Sequence, residues 1–143
     1  EVWFEVTTLL IPGYNDSGIE LEKLSCWMVE QLGPEVPLHF SAFHPDWKMT
    51  HVERTPHQTL IRAREIALAN GIHHVYLGNV HDHQGSSTYC HACGQILIGR
   101  DWYVLSDWNL DSQGRCSNCL EPCPGHFEPT PGSWGSRRQP VKV

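Results

Sequence analysis

The fold of this chain is decided near its start, where residues 2–20 read VWFEVTTLLIPGYNDSGIE. The run from Val2 to Ile11 is dense in β-branched and aromatic residues and lacks a helical stripe, and Pro12-Gly13 closes it. A strand that is apolar on both faces is typical of a buried parallel sheet. Ser17 and Glu20 then fit a capping box, which predicts that a helix begins there.

The alternation of strand and helix continues after this first unit. The first helix is predicted to end at Gly33-Pro34, and a second strand, Leu38 to Phe43, ends at His44-Pro45. The apolar residues of the first helix recur at the three-and-four spacing of one buried helix face. The apolar stripe of the helix consists of Leu21, Leu24, Met28 and Leu32.

A second helix is predicted to begin at Thr55-Pro56-His57-Gln58, with Thr55 as its cap and proline in the first turn. Asn70-Gly71 is a common left-handed stop. A third strand follows from His74 to Leu77 and breaks at Gly78. The apolar stripe of this second helix consists of Leu60, Ala63 and Ala67.

The order strand, helix, strand, helix, strand predicts an α/β fold with a parallel sheet. Three strands and two helices would leave much apolar surface uncovered. We therefore expect the last strands and helices of a larger, partial (β/α) barrel or sheet over residues 1–84. The chain begins without methionine, and we expect it to be the C-terminal piece of a longer protein.

Composition excludes several functional classes. The 143 residues carry a net charge of -6, so no basic surface for nucleic acid is expected. No stretch approaches the roughly 20 apolar residues of a membrane span, and no signal peptide is evident. Six cysteines without a secretory signal favour metal binding over disulfides. We expect a cytoplasmic protein without a nucleic-acid or membrane partner.

Four cysteines form two Cys-x-x-Cys pairs, Cys90 with Cys93 and Cys116 with Cys119, separated by 22 residues, Gly94 to Arg115. Two such turns held apart by a β-hairpin supply four sulfurs in the tetrahedral arrangement that structural zinc prefers. Disulfides, iron in the same sulfur cage and a redox pair remain alternatives. All four positions would be filled by sulfur, so a Lewis-acid role is not expected.

The sequence also contains two further cysteines and the strands of a predicted hairpin. Cys123 could compete as a ligand, and Cys26 is expected to be a small packed residue of the first helix. The hairpin is expected to use two apolar runs, Gln95 to Ile98 and Trp102 to Leu105. We predict a zinc ribbon over residues 85–124 and a disordered tail over 125–143.

Ten histidines raise the question of further sites. The cluster His81-Asp82-His83 follows the third strand and is a candidate for a second metal, although surface loops of this kind often bind nothing. His73 and His74 are predicted to point to opposite faces of a strand and so not to share a ligand sphere. His44 ends the second strand, and ligands collect at the carboxyl ends of parallel strands.

Several motifs resemble one enzyme family. Thr7 to Asp16, TTLLIPGYND, resembles the fifth-strand region of radical S-adenosylmethionine enzymes related to the pyruvate formate-lyase-activating enzyme. Phe40 to Pro45 resembles the sixth strand of these enzymes, and Val75 to Val80 the closing strand. With Thr88-Tyr89-Cys90 and the ribbon, the chain from Val2 to Pro124 resembles the AmmeMemoRadiSam-system radical SAM enzymes.

The chain departs from that family in two respects. The family's Cys-x-x-x-Cys-x-x-Cys loop, which ligates a [4Fe-4S] cluster, does not occur here. Cys116, Cys119 and Cys123 have the reversed gaps and are not assigned to a cluster. Leu120 also stands in the second knuckle where glycine is usual.

The resemblance implies an enzyme that reduces S-adenosylmethionine at the cluster and releases a 5′-deoxyadenosyl radical, which abstracts hydrogen from a substrate. It implies that His44, Ile11 and Pro12 contact S-adenosylmethionine. This chain alone would be inactive, and its partner would be the N-terminal half of the barrel or a protein substrate. The alternative is a zinc-ribbon module on an α/β scaffold that binds a protein without catalysis.

Overall fold

The computed structural model describes residues 2–132 and 135–137. The chain divides into two compact units, Glu1–Gly85 and Ser86–Val143. Among the described residues, no helix is both long and apolar enough to cross a membrane.

The first unit alternates strands and helices, as the sequence predicts. Its three strands form one sheet in the order β1-β2-β3, and both neighbouring pairs are parallel. The predicted mixed α/β architecture with a parallel sheet is therefore confirmed. The elements are β1 (Val6–Leu10), α1 (Gly18–Leu32), β2 (Leu38–Ala42), α2 (His57–Ala69), β3 (Val75–Gly78) and the short α3 (His83–Ser86).

The first strand is shorter than predicted. It begins at Val6, which is the residue that pairs with Leu38 at the start of β2. Val2, Trp3 and Phe4 precede this register and are exposed. Their aromatic and β-branched composition predicts strand, but strand structure requires a hydrogen-bonded neighbour, and β2 begins too late to provide one.

The core of the first unit lies where the two helices pack on the sheet. The apolar stripes predicted for both helices face this core, and Phe40 in the central strand is completely buried. The helix residues Leu21, Met28, Leu60, Ala63 and Ala67 are each at most 1% exposed. Leu24 and Leu32 pack at its margin.

The two helices begin differently. Ser17 caps α1: its hydroxyl accepts the Glu20 backbone N–H at 3.3 Å and donates to the Glu20 carboxylate at 2.8 Å. The predicted cap of α2 is wrong. Pro56 occupies that position without a side-chain hydrogen bond, because the Thr55 hydroxyl is engaged by the strands.

The second unit contains an antiparallel sheet in the order β4-β5-β6. The strands are β4 (Thr88–Tyr89), β5 (Ile96–Asp101) and β6 (Val104–Trp108). The hairpin is present as predicted, but Trp102 and Tyr103 form its turn instead of starting a strand. Trp102 has a left-handed backbone, with φ of 57°.

A small core holds the second unit together. Leu97, Ile98 and Leu110 pack with the buried cysteines, and Phe127 meets Trp108 edge-on with ring centroids 6.3 Å apart. Phe127 thus belongs to the folded unit, although the sequence analysis placed it in a disordered tail. Residues 125–132 and 135–137 form no helix or strand; the rest of that predicted tail lies outside the described residues.

Candidate functional site

The four cysteines of the two Cys-x-x-Cys pairs converge on one point. Cys90 Sγ lies 3.5 Å from Cys119 Sγ, and Cys93 Sγ lies 3.7 Å from Cys116 Sγ. All four sulfurs lie within 4.8 Å of one another. A tetrahedron with metal–sulfur bonds of about 2.3 Å has sulfur–sulfur edges of about 3.8 Å. The four sulfurs can therefore hold one metal ion.

The backbone of each pair folds into the same turn. In the first knuckle, Gly94 N–H donates to Cys90 C=O at 2.9 Å, and Cys90 N–H donates to Gln95 C=O at 2.8 Å. In the second knuckle, the equivalent bonds join Cys116 to Leu120 and Glu121, each at 2.9 Å. These short-range bonds fix the backbone of each knuckle through neighbouring residues alone. They explain why the cysteine spacing is enough to predict the site.

The second knuckle accommodates leucine in the position of glycine. Gly94 has φ of 74°, and Leu120 adopts nearly the same conformation with φ of 64°. The Leu120 side chain is 57% exposed, so it does not contribute to the core. The tight geometry therefore survives the departure from glycine, at the cost of a left-handed backbone in a residue with a Cβ.

The sulfurs differ in their acidity. The pKa of Cys93 is lowered to about 6, first by a hydrogen bond from the Asn118 side chain and then by the Gln95 backbone N–H. The Asn118 amide nitrogen lies 3.5 Å from Cys93 Sγ. Asn118 cannot be recognised from the sequence, because an asparagine inside a Cys-x-x-Cys turn has no distinguishing pattern.

Cys119 shows the opposite behaviour. The Glu121 backbone N–H lowers its pKa, but hydrogen bonding with the Cys93 sulfur, desolvation, and hydrogen bonding with the Cys90 and Cys116 sulfurs together outweigh that effect and raise the pKa to about 12. The neighbouring sulfurs thus favour Cys119 in its protonated form, in which it can donate a hydrogen bond to them. A bound cation would reverse this effect, since thiol ligands bind metal in the deprotonated form.

The remaining cysteines lie outside this group. All six cysteines are free of disulfides. Cys123 is buried in the core of the second unit and does not join the four-sulfur group. Cys26 is exposed on α1, with Sγ 3.2 Å from Asn70 Oδ1. The expectation that it is a small packed residue of this helix is wrong, because it falls on the solvent side of the apolar stripe.

The residues predicted to contact S-adenosylmethionine lie at the carboxyl edge of the parallel sheet. Leu10 pairs with Ala42 in the last register of β1 and β2, so the residues after both strands emerge at the same edge. Ile11 and Pro12 are half-buried there. His44 is exposed, and its Nδ1 lies 3.3 Å from the Pro45 carbonyl oxygen.

Thr55 joins the ends of the first two strands. Its buried hydroxyl donates to Leu10 C=O at 2.6 Å and accepts from Phe43 N–H at 2.9 Å. Its own N–H donates to Phe43 C=O at 3.1 Å. The sequence pattern predicts a helix cap instead, because Thr-Pro before a helix is also the signature of a cap.

Asn79 gives the same edge a second polar link. It follows β3 in a left-handed conformation, with φ of 59°, and its side chain donates to Ala42 C=O at 3.1 Å. Together with Thr55, it satisfies backbone groups where the strands stop pairing, which holds the loops of this edge in place.

The structure corrects one histidine prediction and places a second candidate cluster. His73 and His74 precede β3 instead of lying within it, and both reach Glu35, at 2.8 and 3.2 Å. The prediction that they point apart is wrong, because strand alternation does not apply there. Among the described residues, the His81-Asp82-His83 cluster does not form a metal-holding group; Asp82 pairs with His57 at 2.8 Å.

The chain was compared with protein families, solved structures and curated proteins. No protein-family model and no solved structure matches the chain. The chain is similar to an uncharacterized protein of Methanocaldococcus jannaschii, with 46% identity over 121 residues. The aligned region covers 84% of this chain and 36% of that protein. The chain thus spans only about a third of the length of this relative.

Proposed function

We propose that this chain is the C-terminal part of a radical S-adenosylmethionine enzyme and that its ribbon holds a structural zinc ion. The observation that carries the proposal is the parallel sheet β1-β2-β3, whose carboxyl edge presents Ile11, Pro12 and His44. The motifs at these strand ends, followed by a four-sulfur group, have the order found in the AmmeMemoRadiSam-system enzymes.

The edges of the sheet support a larger barrel. Strands β1 and β3 each have one neighbour among the described residues, and Leu9 in β1 is 44% exposed. A strand edge that exposes apolar residues and unpaired backbone groups is a template for pairing with another strand. The greater length of the relative is consistent with further strands that complete a partial (β/α) barrel.

Zinc is the metal that best fits the ribbon. Four thiolates in a closed tetrahedral site are typical of structural zinc, and no position remains for a substrate. Cys90 and Cys116 are buried, whereas Cys93 and Cys119 are exposed. The metal would therefore join the inner and outer sulfurs and stabilise the two knuckles.

The cysteines of this chain do not fit a [4Fe-4S] cluster. None of its cysteine spacings supplies three cluster ligands, so those ligands would lie elsewhere in the complete enzyme. The [4Fe-4S] cluster and S-adenosylmethionine would supply the radical chemistry, and the protein would contribute binding and orientation. From this chain, Ile11 and Pro12 would pack on the adenine, and His44 would donate a hydrogen bond to a ribose or carboxylate oxygen of S-adenosylmethionine.

His44→Ala in the full-length enzyme tests the proposal. Loss of one hydrogen bond, about 1 kcal/mol, should weaken S-adenosylmethionine binding several-fold. Equilibrium binding should be measured after iron reconstitution, with iron content unchanged. His51→Ala is the matched control, since His51 is also exposed and lies in the same loop. Equal affinity in the wild type and both variants would contradict the role of His44.

A second candidate function is protein binding by the ribbon without catalysis. Trp102, Tyr103 and Val104 at the hairpin tip are each 64% exposed, and exposed apolar clusters often mark binding surfaces. The same reconstituted protein separates the candidates. Full-length protein that incorporates no iron and does not cleave S-adenosylmethionine would favour this second function.

A further inference from the structure

An open cleft of about 430 Å³ lies in the first unit, between the loop before α2 and the residues after β3. Neither His44 nor Ile11 lines it. Three of its six lining residues have side chains that carry or can acquire positive charge. The lining consists of Arg54, Thr55, Pro56, His57, Val80 and His81.

Arg54 is held at the mouth of this cleft by a single hydrogen bond. Its Nη2 donates to Asn79 C=O at 3.0 Å. Among the described residues no carboxylate pairs with Arg54, so the guanidinium keeps donors available for a ligand. A guanidinium presents its donors as a planar fork that matches two oxygens of a phosphate or carboxylate.

The start of α2 contributes further donors. Pro56 offers no side-chain cap, and no acidic residue lies in the first turn. The helix α1 of the same unit, by contrast, has both a Ser17 cap and Glu20 in its first turn. The His57 N–H and the positive end of the α2 dipole therefore have no side-chain cap, and His57 lies in the wall of a cleft that also contains Arg54.

His57 adds an oriented imidazole. Its Nε2 lies 2.8 Å from Asp82 Oδ2, and Asp82 is anchored in turn by the Gly85 N–H at 2.8 Å. With Nε2 held in this way, a protonated His57 ring has Nδ1 left to donate to a ligand. The Asp82 carboxylate is paired with His57 at 2.8 Å, and this pairing limits its repulsion of an anion.

We propose that this cleft binds the phosphate group of a small molecule. Arg54, the His57 N–H at the start of α2 and a protonated His57 ring can each donate to a ligand in this cleft, which suits the several oxygens of phosphate better than the two of a carboxylate. Val80 and Pro56 give the cleft an apolar side for the carbon part of the ligand. This inference is independent of the proposed radical chemistry, since it rests on different residues.

Titration of the metal-loaded 143-residue chain with inorganic phosphate tests the proposal. Amide NMR signals of residues around the cleft, including His57, Val80 and His81, should shift together in a saturable manner. Arg54→Gln should weaken this binding at least tenfold. Arg62→Gln is the matched control, because Arg62 is an arginine of α2 that lies outside the cleft, with its own bond to Asp16 C=O at 2.8 Å.

A second variant tests the helix start. Pro56→Asp should supply the missing cap and raise the thermal unfolding temperature, while its carboxylate should abolish phosphate binding. Stability and binding would thus change in opposite directions, which misfolding cannot produce. Pro56→Asn, which caps without charge, should raise stability and retain more phosphate binding than Pro56→Asp.

Three outcomes would overturn the proposal. The first is phosphate binding that is equal in wild type and Arg54→Gln. The second is an equal loss in Arg62→Gln, which would indicate general attraction by positive charge. The third is acetate binding as tight as that of phosphate at the same ionic strength, which would assign the cleft to carboxylates.

Discussion

Leu120 takes a backbone conformation that residues with a Cβ usually avoid. Its φ of 64° reproduces that of Gly94 in the other knuckle, and its N–H makes the equivalent bond to Cys116 C=O. The geometry of the metal centre therefore overrides the local preference of leucine. Strain of this kind persists only where the surroundings determine the conformation.

Leu120→Gly should stabilise the ribbon. Relief of the left-handed backbone outweighs the added entropy of the unfolded chain, and we expect a net gain of roughly 0.5–1 kcal/mol. Thermal unfolding of the metal-loaded protein measures the gain. Gly94→Ala is the mirror control and should destabilise the first knuckle; a loss of stability in Leu120→Gly would contradict the assigned strain.

Asn118→Ala should make the metal centre more sensitive to acid. Removal of the Asn118 hydrogen bond raises the pKa of Cys93 above about 6. Protons compete with the metal for the thiolate, so the metal should be released at higher pH than in the wild type. The absorbance of the cobalt-substituted site during acid titration reports the release.

Ser117→Ala is the control for that experiment. Ser117 is the exposed neighbour inside the same knuckle, and its hydroxyl makes no bond to sulfur among those described. Its release curve should match that of the wild type. Identical curves for Asn118→Ala and the wild type would show that Asn118 does not set the acidity of Cys93.

At the scale of elements, the carboxyl edge of the sheet depends on polar links between strand ends. Thr55 bonds to Leu10, which lies 45 residues earlier in the chain, and to Phe43. Asn79 links β3 to β2. The same use of Thr55 explains why α2 starts without a side-chain cap.

Thr55→Val should destabilise the first unit by about 2–4 kcal/mol. The substitution keeps the shape but leaves Leu10 C=O and Phe43 N–H buried without their partner, and each unsatisfied group costs about 1–3 kcal/mol. Denaturant unfolding followed by helical circular dichroism measures the loss. Thr50→Val, at an exposed position in the same loop, should change stability by less than about 0.5 kcal/mol.

At the scale of the whole molecule, the chain has two separate cores. One contains the helices and the parallel sheet, with Phe40 at its centre. The other is small and is built around the buried cysteines Cys90, Cys116 and Cys123. A core of that size needs additional stabilisation, which a bound metal can supply.

Metal removal should therefore unfold only one of the two units. After chelation, amides in β5 and β6 should lose protection from hydrogen exchange, because the binding free energy of the metal no longer stabilises the folded ribbon. Amides in β2 and α2 should keep their protection, since their core contains no metal ligand. Hydrogen exchange followed by mass spectrometry measures both regions in one sample, and loss of protection in both would contradict independent stability.

The sequence by itself determined the features that depend on neighbouring residues. The apolar stripes predicted the faces of α1 and α2, Ser17 and Glu20 predicted the start of α1, and the spacing of four cysteines predicted that their sulfurs converge on one point. Periodicity, caps and Cys-x-x-Cys turns are formed by a few consecutive residues, so they are visible without knowledge of the packing.

Only the tertiary structure decided the features that join distant residues. It assigned Thr55 to the strand ends instead of to the helix cap, brought His73 and His74 to Glu35, and placed Phe127 against Trp108. A polar side chain can satisfy its hydrogen bonds locally or across the fold. Which bond forms depends on the groups that packing buries without a partner, and no short pattern in the sequence records that.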